Sequence, residues 1–147
     1  MIGPMPAPDR LARSPDKDHW SVEDCFRPGR PLVQTIDHRD YAIGMHTHDF
    51  VELNIVLRGS GWHYLEDGRF TVRAGHAFVI PPGVSHGYVQ ERHLDVFHLL
   101  IHPRFVDRHL PELRPLPGYA LLFPVEPYFR AEAGFRYGLL LEGKERT

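Results

Sequence analysis

The stretch His46-Thr47-His48-Asp49-Phe50-Val51-Glu52-Leu53-Asn54-Ile55-Val56-Leu57 decides how this chain is read, together with Gly75-His76-Ala77-Phe78-Val79-Ile80-Pro81-Pro82-Gly83-Val84-Ser85-His86 that follows it. Side chains two apart on an extended strand share a face, so His46, His48 and Glu52 are expected to point one way if the backbone stays extended. Leu53, Ile55 and Leu57 fall on the opposite parity, as an apolar comb against a second layer would. His86, delivered by the Pro81-Pro82-Gly83 turn, is placed to supply a fourth ligand from a neighbouring strand. Three imidazoles and one carboxylate suit zinc, nickel, iron, manganese or copper without choosing among them. The competing reading is a metal-free polar pocket in a histidine-rich chain.

Around this pair of segments the chain consists of short runs separated by turn residues: Val33 to Ile36, Phe50 to Leu57, Trp62 to Leu65, Phe70 to Arg73, Ala77 to Ile80, Gly87 to Gln90 and Val96 to Ile101. Runs at this spacing predict an all-β sandwich or barrel. Glu66-Asp67-Gly68 predicts a hairpin whose Asp-Gly pair takes positive φ. Pro81-Pro82 lacks two amide donors and must lie in a loop or edge turn. Gly59-Ser60-Gly61 is expected as a strand bend. One short helix is predicted over Arg104 to Leu110, opened by Pro103 and stopped by Pro111.

From Gly44 to Gly59 and from Gly75 to Gln90 the chain resembles the two paired motifs of the cupin superfamily. It departs from them in the position of Gly44, close to the histidines, and in Gln90, where the family usually has asparagine. The wider text, with Leu116-Pro117-Gly118-Tyr119-Ala120-Leu121-Leu122-Phe123-Pro124-Val125-Glu126-Pro127, resembles the sensor half of AraC/XylS-type transcription regulators over about residues 30 to 140. The resemblance implies a cupin double-stranded β-helix, or jelly roll, with its cavity between the sheets. It further implies a small effector such as a sugar or organic acid in that cavity, homodimer contacts, a cytoplasmic location, and DNA binding only through a separate C-terminal helix-turn-helix domain that this chain lacks. On this reading residues 1–29 form a largely irregular N-terminal arm and 30–147 the sensor domain, ending at its linker. Trp20 and Phe26 either fold over the pocket or only anchor the arm.

Composition agrees with one domain. The 147 residues carry a net charge of −2, and the two lysines and fifteen arginines are scattered, with no stripe to track phosphates. DNA binding by this chain itself is therefore not expected. A single cysteine, Cys25, excludes an internal disulfide and is read as a small apolar residue. No apolar run is long enough for a membrane span, and the N-terminus does not read as a secretion signal.

For the effector, Trp62, Tyr64 and Tyr88 are the aromatic candidates, His98 a candidate by strand parity, and Asn54, Gln34 and Arg58 polar candidates whose competing reading is a solvated surface residue. Gly83-Val84-Ser85-His86-Gly87 matches a hydrolase string, but no helix follows to make the strained elbow. His98 and His102, four apart, belong to a run better read as strand than helix. Three functions remain: an effector-binding sensor without catalytic residues, favoured; a stand-alone metal-dependent cupin enzyme, dioxygenase or isomerase; and a structural cupin whose pocket is filled by its own side chains.

Overall fold

The computed structural model describes residues 17–38, 43–120, 123 and 139–140. Strands dominate them, as the runs of alternating residues predict, and build the expected all-β jelly roll. In chain order the elements are β1 His19–Trp20, α1 Val22–Cys25, β2 Val33–His38, β3 Ile43–His48, β4 Val51–Leu65, β5 Gly68–Arg73, β6 His76–Ile80, β7 His86–Ile101, α2 Pro103–Leu113, α3 Pro117–Ala120 and β8 Leu139–Leu140. The strands are ordered β1-β3-β7-β4-β6-β8, with β2 also on β7 and β5 on β4.

The two longest strands, β4 and β7, form the spine. They pair antiparallel from Val51↔Ile101 to Leu65↔His86, so each carries residues of both ends of the barrel. Runs separate in sequence, Phe50 to Leu57 with Trp62 to Leu65, and Gly87 to Gln90 with Val96 to Ile101, thus merge into single bent strands. The register shifts between Val56 and Gly61. Gly59 sits in that irregularity at φ +79°, and a Cβ there would collide with the backbone carbonyls of Arg92 and His93. On the partner strand His93 itself has φ +40°.

This irregularity reverses the inward parity of β4. Glu52, Asn54 and Val56 are buried, and beyond the bend it is Gly61 and His63 that face the interior partners. A one-residue slip moves every following side chain to the other face. The Leu53, Ile55, Leu57 comb is correspondingly on the outer side, half-buried or, at Leu57, 56% exposed; the sequence reading had placed the packed face there.

The core joins Val56, Phe70, Val72, Phe78, Ile80, Tyr88, Leu94 and Val96 from four strands. A smaller cluster, Phe26, Phe50 and Leu100, ties the N-terminal segment to the barrel, Phe26 meeting Phe50 edge-on at 5.5 Å. A Ser21–Asp24 capping box starts α1, so residues 19–25 are more regular than an unstructured arm; residues 1–16 lie outside the described part.

Three further expectations are corrected. The β4–β5 hairpin closes at Leu65↔Gly68, which makes Glu66-Asp67 its loop, and neither these two nor Gly68 takes positive φ. Helix α2 runs through Pro111 to Leu113, because the missing proline N–H falls in the last turn and Arg114 N–H still bonds the Leu110 carbonyl. The single predicted helix is joined by the short α1 and α3. Leu139–Leu140 pairs with β6, while most of 121–138 lies outside the described residues. No helix among the described residues is long and apolar enough to cross a membrane.

Candidate metal centre and effector cavity

His46 and His48 lie on β3, and Glu52 lies on β4 after a bend at Asp49-Phe50. The expectation of one strand bearing all three is therefore corrected: two strands converge. His86 opens β7 as predicted, and β3 pairs with β7 directly at His46↔His86. The Pro81-Pro82-Gly83 turn is fastened to the histidine strand by Gly83 N–H, at φ +80°, donating to the His48 carbonyl at 2.8 Å.

Each of these imidazoles has its Nδ1 against a backbone carbonyl two residues away. His46 meets Gly44 O at 2.9 Å, His48 meets Phe50 O at 2.7 Å and His86 meets Val84 O at 3.0 Å. A carbonyl only accepts, so each Nδ1 carries the proton and each Nε2 keeps its lone pair. This is the orientation that ligating histidines take from a second ring of contacts. The Nε2 atoms of His48 and His86 are buried and have no hydrogen-bond partner among the described residues. They face Glu52, His48 Nε2 at 3.6 Å from Oε2 and His86 Nε2 at 3.9 Å from Oε1. The ligand atoms of His48, Glu52 and His86 all lie within 4.8 Å of one another. Atoms bound about 2.0–2.2 Å from a common ion stand roughly 3.0–3.5 Å apart, so the set fits a divalent ion after a small contraction.

His46 is next to this trio but outside it. Its ring centroid is 4.2 Å from that of His86 and 6.4 Å from that of His48. His98, across β7, donates from Nδ1 to Glu52 Oε1 at 3.0 Å.

The charge state suits the same chemistry. Burial alone would raise the Glu52 carboxyl, but the hydrogen bond from His98 and the neighbouring imidazoles outweigh it and hold the carboxyl well below the usual carboxylate range. Burial pushes the His86 imidazole down to about 3, with Glu52 opposing only in part. The same cause lowers His48. At neutral pH the trio is one carboxylate and two neutral imidazoles, the forms that bind a cation.

Against His48 and Glu52 opens a cavity of about 180 Å³, lined by these two with His46 and His98 and by Trp20, Cys25, Ile36, Ile43, Phe50 and Leu100; His86 lies behind this wall. Trp20 enters because β1 runs parallel to β3, with Asp49 N–H bonded to the Trp20 carbonyl at 3.1 Å.

Of the effector candidates, His98 lines this cavity. Asn54 and Tyr88 are fully buried in the interior but not on its wall. Tyr64 is fully buried and Trp62 half-buried, neither of them on that wall; the Arg69 guanidinium lies over the Trp62 ring, 4.8 Å from its centroid. The Arg58 side chain is 65% exposed and paired with Asp95 at 2.9 Å. Gln34 Nε2 donates to the Cys25 carbonyl at 2.8 Å and braces the N-terminal segment. Sequence reasoning missed His63, fully buried and stacked on Tyr88 with centroids 4.5 Å apart, 5.8 Å from the His86 ring. Counting back from the Asp67 hairpin pairs His63 with Phe70 and would have exposed its inward parity.

This combination of a jelly roll, an N-terminal segment forming part of the cavity wall and a histidine-carboxylate cluster at its base defines a ligand-binding cupin. The profile of the AraC-like ligand binding domain matches residues 31–137, and the chain belongs to that family. Similar sequences include the HTH-type transcriptional activator RhaR of Shigella dysenteriae serotype 1, 33% identical over 67% of this chain and 36% of the relative. RhaR of Escherichia coli O139:H28 is 33% identical over 67% of this chain and 35% of its own length. The chain thus spans about a third of the length of the curated relatives it matches. Among solved structures, a Cupin 2 conserved barrel domain protein from Salinispora arenicola aligns over 59% of this chain and 77% of that one, with 18% identity and a TM-score of 0.47. A cupin-2 domain containing protein from Shewanella frigidimarina aligns over 50% and 74%, with 24% identity and a TM-score of 0.45.

Proposed function

We propose that the chain is the ligand-sensing and dimerisation domain of an AraC-type transcription regulator. It takes a small effector, a sugar or organic acid, into the cavity at the end of the barrel. His48, Glu52 and His86 hold a divalent transition metal, with His46 beside them; the ion supplies Lewis acidity that fixes polar oxygens of the effector. The protein acts in the cytoplasm as a homodimer and reaches DNA through a separate C-terminal domain.

The observation that carries this reading is the shared wall of the cavity. The indole of Trp20 and the imidazole of His48 line the same space, and β1 and β3 are joined at Trp20↔His48. A ligand that contacts both adds differential binding energy to one position of the N-terminal segment, which is how a pocket shifts a conformational equilibrium. The family membership and the relatives named as transcriptional activators support the regulatory side.

Elemental analysis of the purified domain, with a thermal-shift screen of sugars and small acids, tests the reading. One divalent ion per chain and a selective rise in melting temperature are expected, since a ligand that prefers the folded state stabilises it. His48→Ala should lose the ion while remaining folded. Absence of any metal and of any small-molecule shift would overturn it.

A second reading is a stand-alone metal-dependent cupin dioxygenase or isomerase. It is favoured by the three-membered ligand trio, which leaves coordination positions open, and by His98 on Glu52 as a candidate proton carrier. Turnover of any substrate by the metal-loaded chain would decide for it. The open cavity speaks against a purely structural cupin.

A further inference from the structure

The effector cavity is divided by chemistry. Its polar groups form one connected patch, with His48 and His98 both against the Glu52 carboxylate, at 3.6 Å and 3.0 Å, and the His46 ring 6.4 Å from that of His48. The rest of the wall, Trp20, Cys25, Ile36, Ile43, Phe50 and Leu100, carries no side-chain oxygen, and its polar hydrogens are limited to the Trp20 indole and the Cys25 thiol. A sugar carries hydroxyls around its rim, and those turned to the aliphatic part of the wall would be buried without partners, which is unfavourable.

Size narrows the choice further. The cavity of about 180 Å³ is smaller than most ligand pockets, which span roughly 300–1,000 Å³.

We infer that the effector is a small monocarboxylic acid with an apolar, ring-sized body, its carboxylate directed to the Glu52 end and its body held by Trp20, Ile36, Ile43 and Leu100. This rests on the reading that His48, Glu52 and His86 bind a divalent cation. Without the cation an incoming carboxylate meets the like charge of Glu52; with it, the same end of the cavity carries a net positive charge and attracts the acid. Trp20 is then the specificity residue of the body.

The test uses the full chain, zinc-loaded and chelator-stripped, titrated calorimetrically with benzoate, benzyl alcohol, benzylamine and glucose. Benzoate should bind the zinc-loaded chain at least about tenfold more tightly than benzyl alcohol or glucose, and lose at least about tenfold on stripping. Trp20→Ala should weaken benzoate roughly fivefold and Trp20→Phe should restore most of that, the aromatic face being what the body contacts. Benzylamine should prefer the stripped chain, where Glu52 is uncovered; glucose binding more tightly than benzoate, benzylamine preferring the zinc-loaded chain, or indifference to Trp20→Ala would each overturn the ligand class. A zinc titration without organic ligand reads the metal separately. Zinc retained with no preference for benzoate sinks the ligand class alone, whereas no zinc binding removes the metal reading and this inference together.

Discussion

His98 and Glu52 meet across the β4–β7 ladder, His98 Nδ1 donating to Glu52 Oε1 at 3.0 Å in a site where both are buried. The two residues stand 46 positions apart in sequence and are brought together because Glu52↔Leu100 and Asn54↔His98 are neighbouring rungs of one register. The bond keeps the carboxylate charged and aims it, since one oxygen is engaged by His98 while the other faces His48. His98→Phe preserves volume and removes the donor. It should lower divalent-metal affinity by roughly 10- to 100-fold, the usual cost of losing a partner of a ligating group. Calorimetric zinc titration of folded variant and parent checks this.

Acid should weaken the metal-free domain earlier than carboxylate titration alone would. The His86 imidazole lies near 3 in the fold against an ordinary value of 6.5, so below 6.5 the unfolded chain binds the extra proton. Stability from this group is whole above 6.5 and is lost progressively as pH falls toward 3. Between about pH 7 and pH 5 that amounts to roughly 2 kcal/mol from His86, and lowered His48 acts in the same sense. Glu52, also depressed, adds a further loss as pH drops below its ordinary 4.5. Urea unfolding in chelator at these pH values measures it, and bound metal should flatten the dependence.

Gly59→Ala should cost about 2 kcal/mol or more. The position combines φ +79° with carbonyls of Arg92 and His93 where the new methyl must go. Because the irregularity here sets which face of β4 turns inward, the variant should also disturb the packing of His63 on Tyr88. Thermal melting gives the first effect and near-ultraviolet dichroism of the tyrosines the second.

Asn54 is fully buried, and neither amide atom is hydrogen-bonded among the described residues. Asn54→Leu, close in shape, should raise stability by about 1 kcal/mol, since an unsatisfied buried amide costs roughly 1–3 kcal/mol. A fall in the melting temperature instead would show that an ordered water or the effector itself satisfies the amide.

The class of the fold was legible because strand periodicity and turn chemistry are local. Asp67 marks a hairpin, Pro81-Pro82-Gly83 marks a break, and His86 follows at the start of a strand whatever the rest of the chain does. The strand pair β3 and β4 was harder to separate, since the bend at Asp49-Phe50 leaves no glycine or proline to announce it. The stretch around Gly59 does announce a bend, but its direction depends on how β7 pairs opposite it.

That pairing decided which candidates reach the interior. Parity carried forward from Glu52 along an unbroken strand would put Trp62 inside and His63 outside; the register shift leaves Trp62 half-buried and brings His63 in, with Tyr64 buried beside it.

By itself the sequence determined an all-β chain with histidines and a glutamate grouped near two turns, because alternation, proline geometry and ligand chemistry are properties of short segments. Tertiary structure alone decided that His48, Glu52 and His86 form the tight trio while His46 stands beside it, that His98 charges and orients the carboxylate, and that Trp20 walls the cavity. These relations depend on strand register and on where the N-terminal segment docks, both of which are set by contacts between residues far apart in the chain.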